Sequence, residues 1–216
     1  SGDRLFRIDG EMEVDATLFP TAFAVGVGLG YLRWKSPPIS NKIYRLLVID
    51  EQAEQMPAGG TLVIGDSLVE RQRISSLCGE ALNAGIGSAT TADFTPHVGR
   101  IAAKARPARV VVNLGVNDIA RGVAPAEVER RVGMILSALP LTSQIVLVGI
   151  PGLAKDPLEG LAQRQGVHYL PYPVPRELTH DGLHMTAEGA RVWQRSVGNV
   201  LCPDLTMSYP HQVTAS

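Results

Sequence analysis

Residues 61–68 read TLVIGDSL: a β-rich run, a glycine, then Asp66 and Ser67 ahead of a stretch of helix formers that continues to Cys78. Such a run, broken by Gly-Asp-Ser and followed by helical spacing, reads as strand, tight turn and helix. The same rhythm recurs at ALNAG (from 81), RVVVNLG (from 109), QIVLVGI (from 144) and VHYLPY (from 167). Helical segments fill the gaps, for example PAEVERRVGMILSAL from Pro125. Strands that alternate with helices imply a parallel sheet covered on both faces. The predicted fold is α/β, a three-layer α/β/α sandwich on a five-stranded parallel sheet of order 2-1-3-4-5, as in flavodoxin. In such sheets ligands sit beyond the carboxyl ends of the strands, so functional residues are expected just after them.

The regular rhythm divides the chain into an N-terminal extension (1–58), a main domain (59–202) and a C-terminal tail (203–216). Within the extension, Ala16–Leu32 carries no charge, but Pro20 and three glycines weaken it as a helix, and charges flank it on both sides. A buried or surface-docked arm is favoured over membrane attachment through residues 16–32. Ser40 can cap a helix whose Ile43, Leu46, Leu47 and Ala53 fall near one face. The opening Ser1-Gly2 reads as a cloning remnant, with a native start missing before it. Across the 216 residues, 20 basic and 21 acidic side chains nearly cancel, and no Lys/Arg cluster interleaves with aromatics. A nucleic-acid partner and a polyanionic substrate are therefore not expected. The glycines of GVGLG (26–30) lack the strand-loop-helix unit of a nucleotide fingerprint.

Four stretches can carry chemistry. Ser67 lies at a helix N-terminus, a position that favours a nucleophile and a developing oxyanion; alternatively, Asp66 and Ser67 simply cap the helix. NAGIGSAT (83–90) is a glycine-containing loop with backbone N–H groups to offer, or an ordinary turn. NLGVND delivers Asn117 and Asp118 to the same sheet edge, where Asn117 is a neutral donor or a helix cap. In THDGLHMTAEGA (179–190), Asp181 and His184 are three apart, so one turn brings the carboxylate to the imidazole. Thr186 then starts the last helix, and Gly182 permits the turn. A metal site on His180, Asp181 and His184 is disfavoured because Gly182 breaks the helix that an i, i+4 histidine pair needs. No metal or cofactor is expected, and His97, His168 and His211 are read as surface, strand or tail residues.

Taken together, GDSL with Ser67, NAGIGSAT, NLGVND with Asn117, and DGLH with Asp181 and His184 resemble the SGNH (GDSL-type) hydrolase family in order and spacing. The resemblance covers about residues 61–200 and implies a serine esterase. It implies Ser67 as nucleophile, His184 as general base and then acid, and Asp181 as its orienting carboxylate. It also implies an oxyanion hole from the N–H of Ser67, an N–H of Gly87 or Ser88, and the Asn117 amide. The family usually has glycine where this chain has Ser88, which puts the second donor in question.

Short segments between strands leave no room for a lid or a deep acyl tunnel, so short acyl groups, acetate first, are expected. The substrate would be a small-molecule or glycan ester, such as an acetylated sugar. Two alternatives share the motifs: an acyltransferase in which a sugar hydroxyl intercepts the acyl-enzyme, and a non-catalytic carbohydrate-binding protein. Cys78 and Cys202 are too few for a disulfide framework or a zinc knuckle. In the expected strand order their helices lie side by side, so the two either bridge, which would favour an extracytoplasmic location, or remain separate thiols. Oligomeric state is not readable from these features.

Overall fold

The computed structural model describes residues 6–8, 12–14 and 40–203. Two compact units divide the chain at Ser40–Asn41. In the first, β1 (Phe6–Ile8) and β2 (Met12–Val14) pair antiparallel, with Phe6 opposite Val14. The uncharged Ala16–Leu32 stretch, and residues 204–216 with His211, lie outside the described residues. Among the described residues, no helix is long and apolar enough to cross a membrane.

The second unit holds a five-stranded parallel sheet in the spatial order β4 (Ala81–Gly85), β3 (Thr61–Gly65), β5 (Arg109–Asn113), β6 (Gln144–Val148), β7 (His168–Leu170). Counted along the chain, this is the expected order 2-1-3-4-5. Successive side chains of a strand point to opposite faces, and the core follows that alternation. Leu62, Ile64, Val110, Val112 and Leu147 enter one cluster, while Val63, Val111, Val146 and Val148 enter the other. The first face is covered by α1 (Asn41–Gln55), α4 (Val98–Ala105), α6 (Pro125–Ser137) and α7 (Pro157–Gln165). The second is covered by α8 (Ala187–Leu201), through Trp193, Val197 and Leu201, and by Val69 of the short α2 (Ser67–Glu70). Two further short helices, α3 (Thr91–Phe94) and α5 (Val116–Ala120), follow β4 and β5.

Helix α1, which the sequence grouped with the extension, packs on the sheet. Ile49 and Ala53 are fully buried, and Arg45 donates to the carbonyls of Asn83 (2.7 Å) and Gly85 (3.0 Å). Ile43 and Leu47, expected on the buried face, are instead exposed. Leu47 sits about 100° round the helix from Leu46, and it is Leu46, Ile49 and Ala53 that meet the core.

The helix expected from Ser67 towards Cys78 stops after one turn at Glu70. Side-chain amides take carbonyls that a longer helix would use: Asn83 donates to Val69 (2.9 Å) and Gln72 (2.8 Å), and Gln72 donates to Leu68 (2.8 Å). The irregular segment beyond it reaches Cys78, which is disulfide-bonded to Cys202 just after α8. The Cys78 carbonyl accepts from Arg109, the first residue of β5, so the bridge lies at the amino ends of the strands.

The bridge closes a sequence separation of 124 residues, and closing a loop that long removes much unfolded-state entropy. Denatured, unreduced protein is expected to show no reactive thiol, and the reduced protein two. The Cys78→Ser/Cys202→Ser variant should lose about 2–5 kcal/mol of stability in denaturant titrations.

Candidate active site

The register of the sheet aligns three strand ends, since Gly65 of β3 lies opposite Gly85 of β4 and Asn113 of β5. The loops that leave these three strands therefore emerge at one edge. After β3, Asp66 caps α2, its Oδ1 accepting from the Leu68 N–H at 2.9 Å. Capping thus falls to Asp66, and the Ser67 hydroxyl is left for another partner. The turn is pressed against β4: a Cβ on Gly85 would come within 2.2 Å of the Glu70 nitrogen, so only glycine fits there.

That partner is His184. Ser67 Oγ lies 3.0 Å from His184 Nε2, across 117 positions of sequence. On the other side of the ring, His184 Nδ1 lies 2.6 Å from Asp181 Oδ2. With Nδ1 donating to the carboxylate, Nε2 is the acceptor and the serine hydroxyl donates to it. Asp181 Oδ1 also accepts from the N–H groups of Leu183 (3.0 Å) and His184 (2.7 Å). The turn is closed by the His180 N–H on the His184 carbonyl (2.8 Å) and passes through Gly182 in the left-handed region at φ +84°. Thr186 then caps α8, its hydroxyl accepting from the Gly189 N–H.

Although Asp181 is 53% exposed, its carboxyl is held well below the usual carboxylate range by the His184 imidazole first and then by the backbone N–H groups. It stays ionised wherever the histidine works. Asp66 is in the opposite situation. Fully buried, with Oδ2 lacking any partner among the described residues, it is pushed up to about 7 by burial, against the Leu68 N–H bond and the nearby His184. Burial, with the Asp66 charge adding to it, also raises the Tyr172 phenol.

Of the expected oxyanion donors, Ser67 follows β3, Gly87 and Ser88 are in the loop after β4, and Asn117 is in α5 just after β5. The Asn117 amide donates to the Ala89 carbonyl at 3.0 Å, which leaves its second N–H. Arg121 donates to the Ser88 carbonyl, and Asp118 accepts from the backbone and hydroxyl of Thr91. These bonds knit the two loops together. Among the described residues, the N–H groups of Ser67, Gly87 and Ser88 have no acceptor. Ser88 itself is in the left-handed region, at φ +58°. A glycine would adopt that conformation without cost, whereas a serine is strained by about 1–2 kcal/mol. Arg121 and Asn117 hold the loop by the carbonyls of Ser88 and Ala89.

Sequence reasoning missed two residues. Trp193, fully buried in α8, donates to Asn113 Oδ1 at the end of β5 (2.9 Å). This bond fixes the helix that carries the histidine turn to the strand that leads to Asn117. Asn113 stands in the quoted NLGVND, and a polar residue closing a run of valines was the available signal. Asp66 was read as a cap, without its burial. His180 is exposed, and among the described residues no group of three His, Cys, Asp or Glu is placed to hold a metal.

Residues 63–192, more than half of the chain, match the model of the GDSL-like lipase/acylhydrolase family. No curated protein matches the chain. Three solved structures are similar. A protein from Streptococcus pneumonia, provisionally described as a platelet activating factor, has 18% identity over 83% of this chain and 99% of its own, with a TM-score of 0.59. One from Bacteroides fragilis, provisionally described as an acylhydrolase, has 20% identity over 70% and 93%, TM-score 0.58. A psychrotrophic esterase from Pseudoalteromonas has 15% identity over 68% and 99%, TM-score 0.56. At these identities the likeness establishes a shared fold.

The raised pKa of Asp66 has a sign that stability measurements can read. Between its unfolded value of 3.8 and about 7 the folded state holds a proton that the unfolded chain has released, so stability falls as pH rises through that window. Asp66→Asn keeps an acceptor for the Leu68 N–H and carries no charge. Denaturant midpoints from pH 4 to 7 are expected to decline less steeply in this variant than in the parent.

Proposed function

The chain belongs to the GDSL-like lipase/acylhydrolase (SGNH hydrolase) family and is a carboxylic ester hydrolase, and on that premise we propose that it cleaves short-chain acyl esters, acetate first, through an acyl-enzyme on Ser67. The observation that carries this reading is the hydrogen-bonded chain from Ser67 through His184 to Asp181. In the proposed reaction His184 Nε2 takes the Ser67 proton as Oγ attacks the ester carbonyl. Asp181 fixes the tautomer and stabilises the imidazolium that results. The oxyanion is met by the Ser67 N–H, by Gly87 or Ser88 N–H and by the second N–H of Asn117, all fixed before the charge develops. His184 then protonates the departing alcohol, and a water deprotonated by the same nitrogen releases the acid.

Preference for a short acyl group rests on the loops at the catalytic edge. Asp66 alone separates β3 from α2, and Leu114 and Gly115 alone separate β5 from α5. These two connections supply no cover for a long acyl chain, and the longer ones, 149–156 and 171–186, leave from the β6–β7 side of the sheet. A bulky alcohol, such as an acetylated carbohydrate, suits an edge of this kind.

With 4-nitrophenyl acetate, Ser67→Ala is expected to lower kcat by about 10⁶, and Asp181→Asn by about 10⁴. Asn117→Ala should cost about 10²–10³. Full turnover in Ser67→Ala, or failure of a fluorophosphonate to label Ser67 in folded protein, would end the esterase mechanism. Across a series of nitrophenyl esters, kcat/KM is expected to fall from acetate to dodecanoate, and the reverse order would refute the short-chain reading.

A further inference from the structure

A cavity of about 460 Å³ opens beside the candidate nucleophile, lined on one side by Ser67, Arg71 and Arg73 and on the other by His184, Arg191 and Gln194. We propose that this cavity is the subsite for the alcohol part of the ester, and that it selects an alcohol bearing an anionic group, a carboxylate or a phosphate. This assignment rests on the esterase mechanism proposed for Ser67.

The placing of the alcohol depends on which side of Ser67 the cavity occupies. His184 lines it, as do Met185 and Thr186, whereas Asn117, Gly87 and Ser88 do not. When the ester C–O bond breaks, the acyl carbon stays on Ser67 Oγ and the alcohol oxygen takes the proton that His184 Nε2 received from the serine. The leaving alcohol must therefore lie on the histidine side, and the oxyanion on the side of the 86–90 loop.

The anionic preference comes from the lining. Three arginines line the cavity and, among the described residues, no Asp or Glu does. Neither Arg71, Arg73 nor Arg191 forms an ion pair or side-chain hydrogen bond with any described residue. Arg106, Arg176 and Arg195 are likewise unpaired among the described residues, but none of them lines this cavity, and Arg130 and Arg131 are matched with Glu127. In a chain whose formal net charge is -1, this surplus is a local arrangement. Guanidinium is the cation best shaped to take a carboxylate or phosphate in paired hydrogen bonds.

The walls are also held in place. Arg71 ends α2, whose start is capped by Asp66, and Arg191 stands on α8, which Trp193 ties to β5. Gln72, nearly buried, accepts a bond from Gln194 at 3.3 Å and so joins the two walls across the base of the cavity.

The test compares acetate esters of similar shape that differ in charge: those of 4-hydroxybenzamide, 4-hydroxybenzoate and 4-hydroxyphenyl phosphate. At low salt, kcat/KM for at least one anionic ester is expected to exceed that for the amide by about tenfold or more, chiefly through KM. Whichever anion is preferred identifies the head group. The advantage should shrink at about 0.5 M salt, where exposed charges are screened. Arg71→Gln, Arg73→Gln and Arg191→Gln should each lower the anionic-to-neutral ratio, with fluorophosphonate labelling of Ser67 checking that each variant is folded. Arg100→Gln, on the opposite face of the sheet, should leave the ratio unchanged. Equal kcat/KM for all three esters in the parent protein, with turnover abolished by Ser67→Ala, would overturn the subsite and leave the esterase reading standing. Absence of Ser67-dependent turnover of every ester would overturn both.

Discussion

The hydrogen bond from Trp193 Nε1 to Asn113 Oδ1 joins the last helix of the described chain to the central strand. Ser67 and His184 are 117 positions apart, and their 3.0 Å separation depends on where α8 sits. Apolar packing of Trp193, Val197 and Leu201 drives α8 onto the sheet, but packing is non-directional and tolerates sliding. A buried indole N–H is costly to leave unpaired, so the bond selects one seating of the helix among several that pack equally well. Asp66, Asn113 and Trp193 are all buried at or near this edge, and each directs a neighbour that faces the cavity or the loops.

The two aspartates nearest the Ser67–His184 pair show how environment divides identical side chains. Asp181, largely exposed, is surrounded by donors and remains ionised; Asp66, buried with one satisfied oxygen, favours its neutral form. An ionised Asp181 beside the ring supports an imidazolium during proton transfer. Burial keeps the Asp66 carboxyl protonated below about pH 7, so below that pH only one of the two aspartates carries a charge, the one the proposed proton relay uses.

Strand order was readable because each strand is a compact β-rich run between helical segments, and Asp181 and His184 were readable because three-residue spacing meets within one turn. The pairing of Ser67 with His184 was expected from their place at one sheet edge and from the family resemblance, and the fold adds a 3.0 Å separation between them. Three things were not readable. The length of α2 depends on the Asn83 and Gln72 amides, which compete for its carbonyls from outside the helix. The buried face of α1 was misjudged at Ile43 and Leu47 because several apolar residues offered more than one stripe. The arginine-lined cavity was invisible because Arg71 and Arg73 meet Arg191 only after folding, whereas charge patterning along the chain registers only neighbours in sequence.

Stability and the proposed chemistry are concentrated at opposite ends of the same strands. The disulfide lies at the amino ends, beside Arg109 and near Thr61, whose hydroxyl donates to the Leu77 carbonyl. At the carboxyl ends are Asp66 Oδ2 and the Tyr172 hydroxyl, buried without partners among the described residues, and Ser88 in a left-handed conformation that Cys78 and Arg106 share at the amino ends. Each such feature costs on the order of 1–3 kcal/mol, a large fraction of a domain's net stability. A covalent link that restrains residues 78–202 in the unfolded chain offsets that burden without touching the site. Short, pre-shaped loops can then hold donors in position before a substrate arrives, which is the condition for electrostatic stabilisation of an oxyanion.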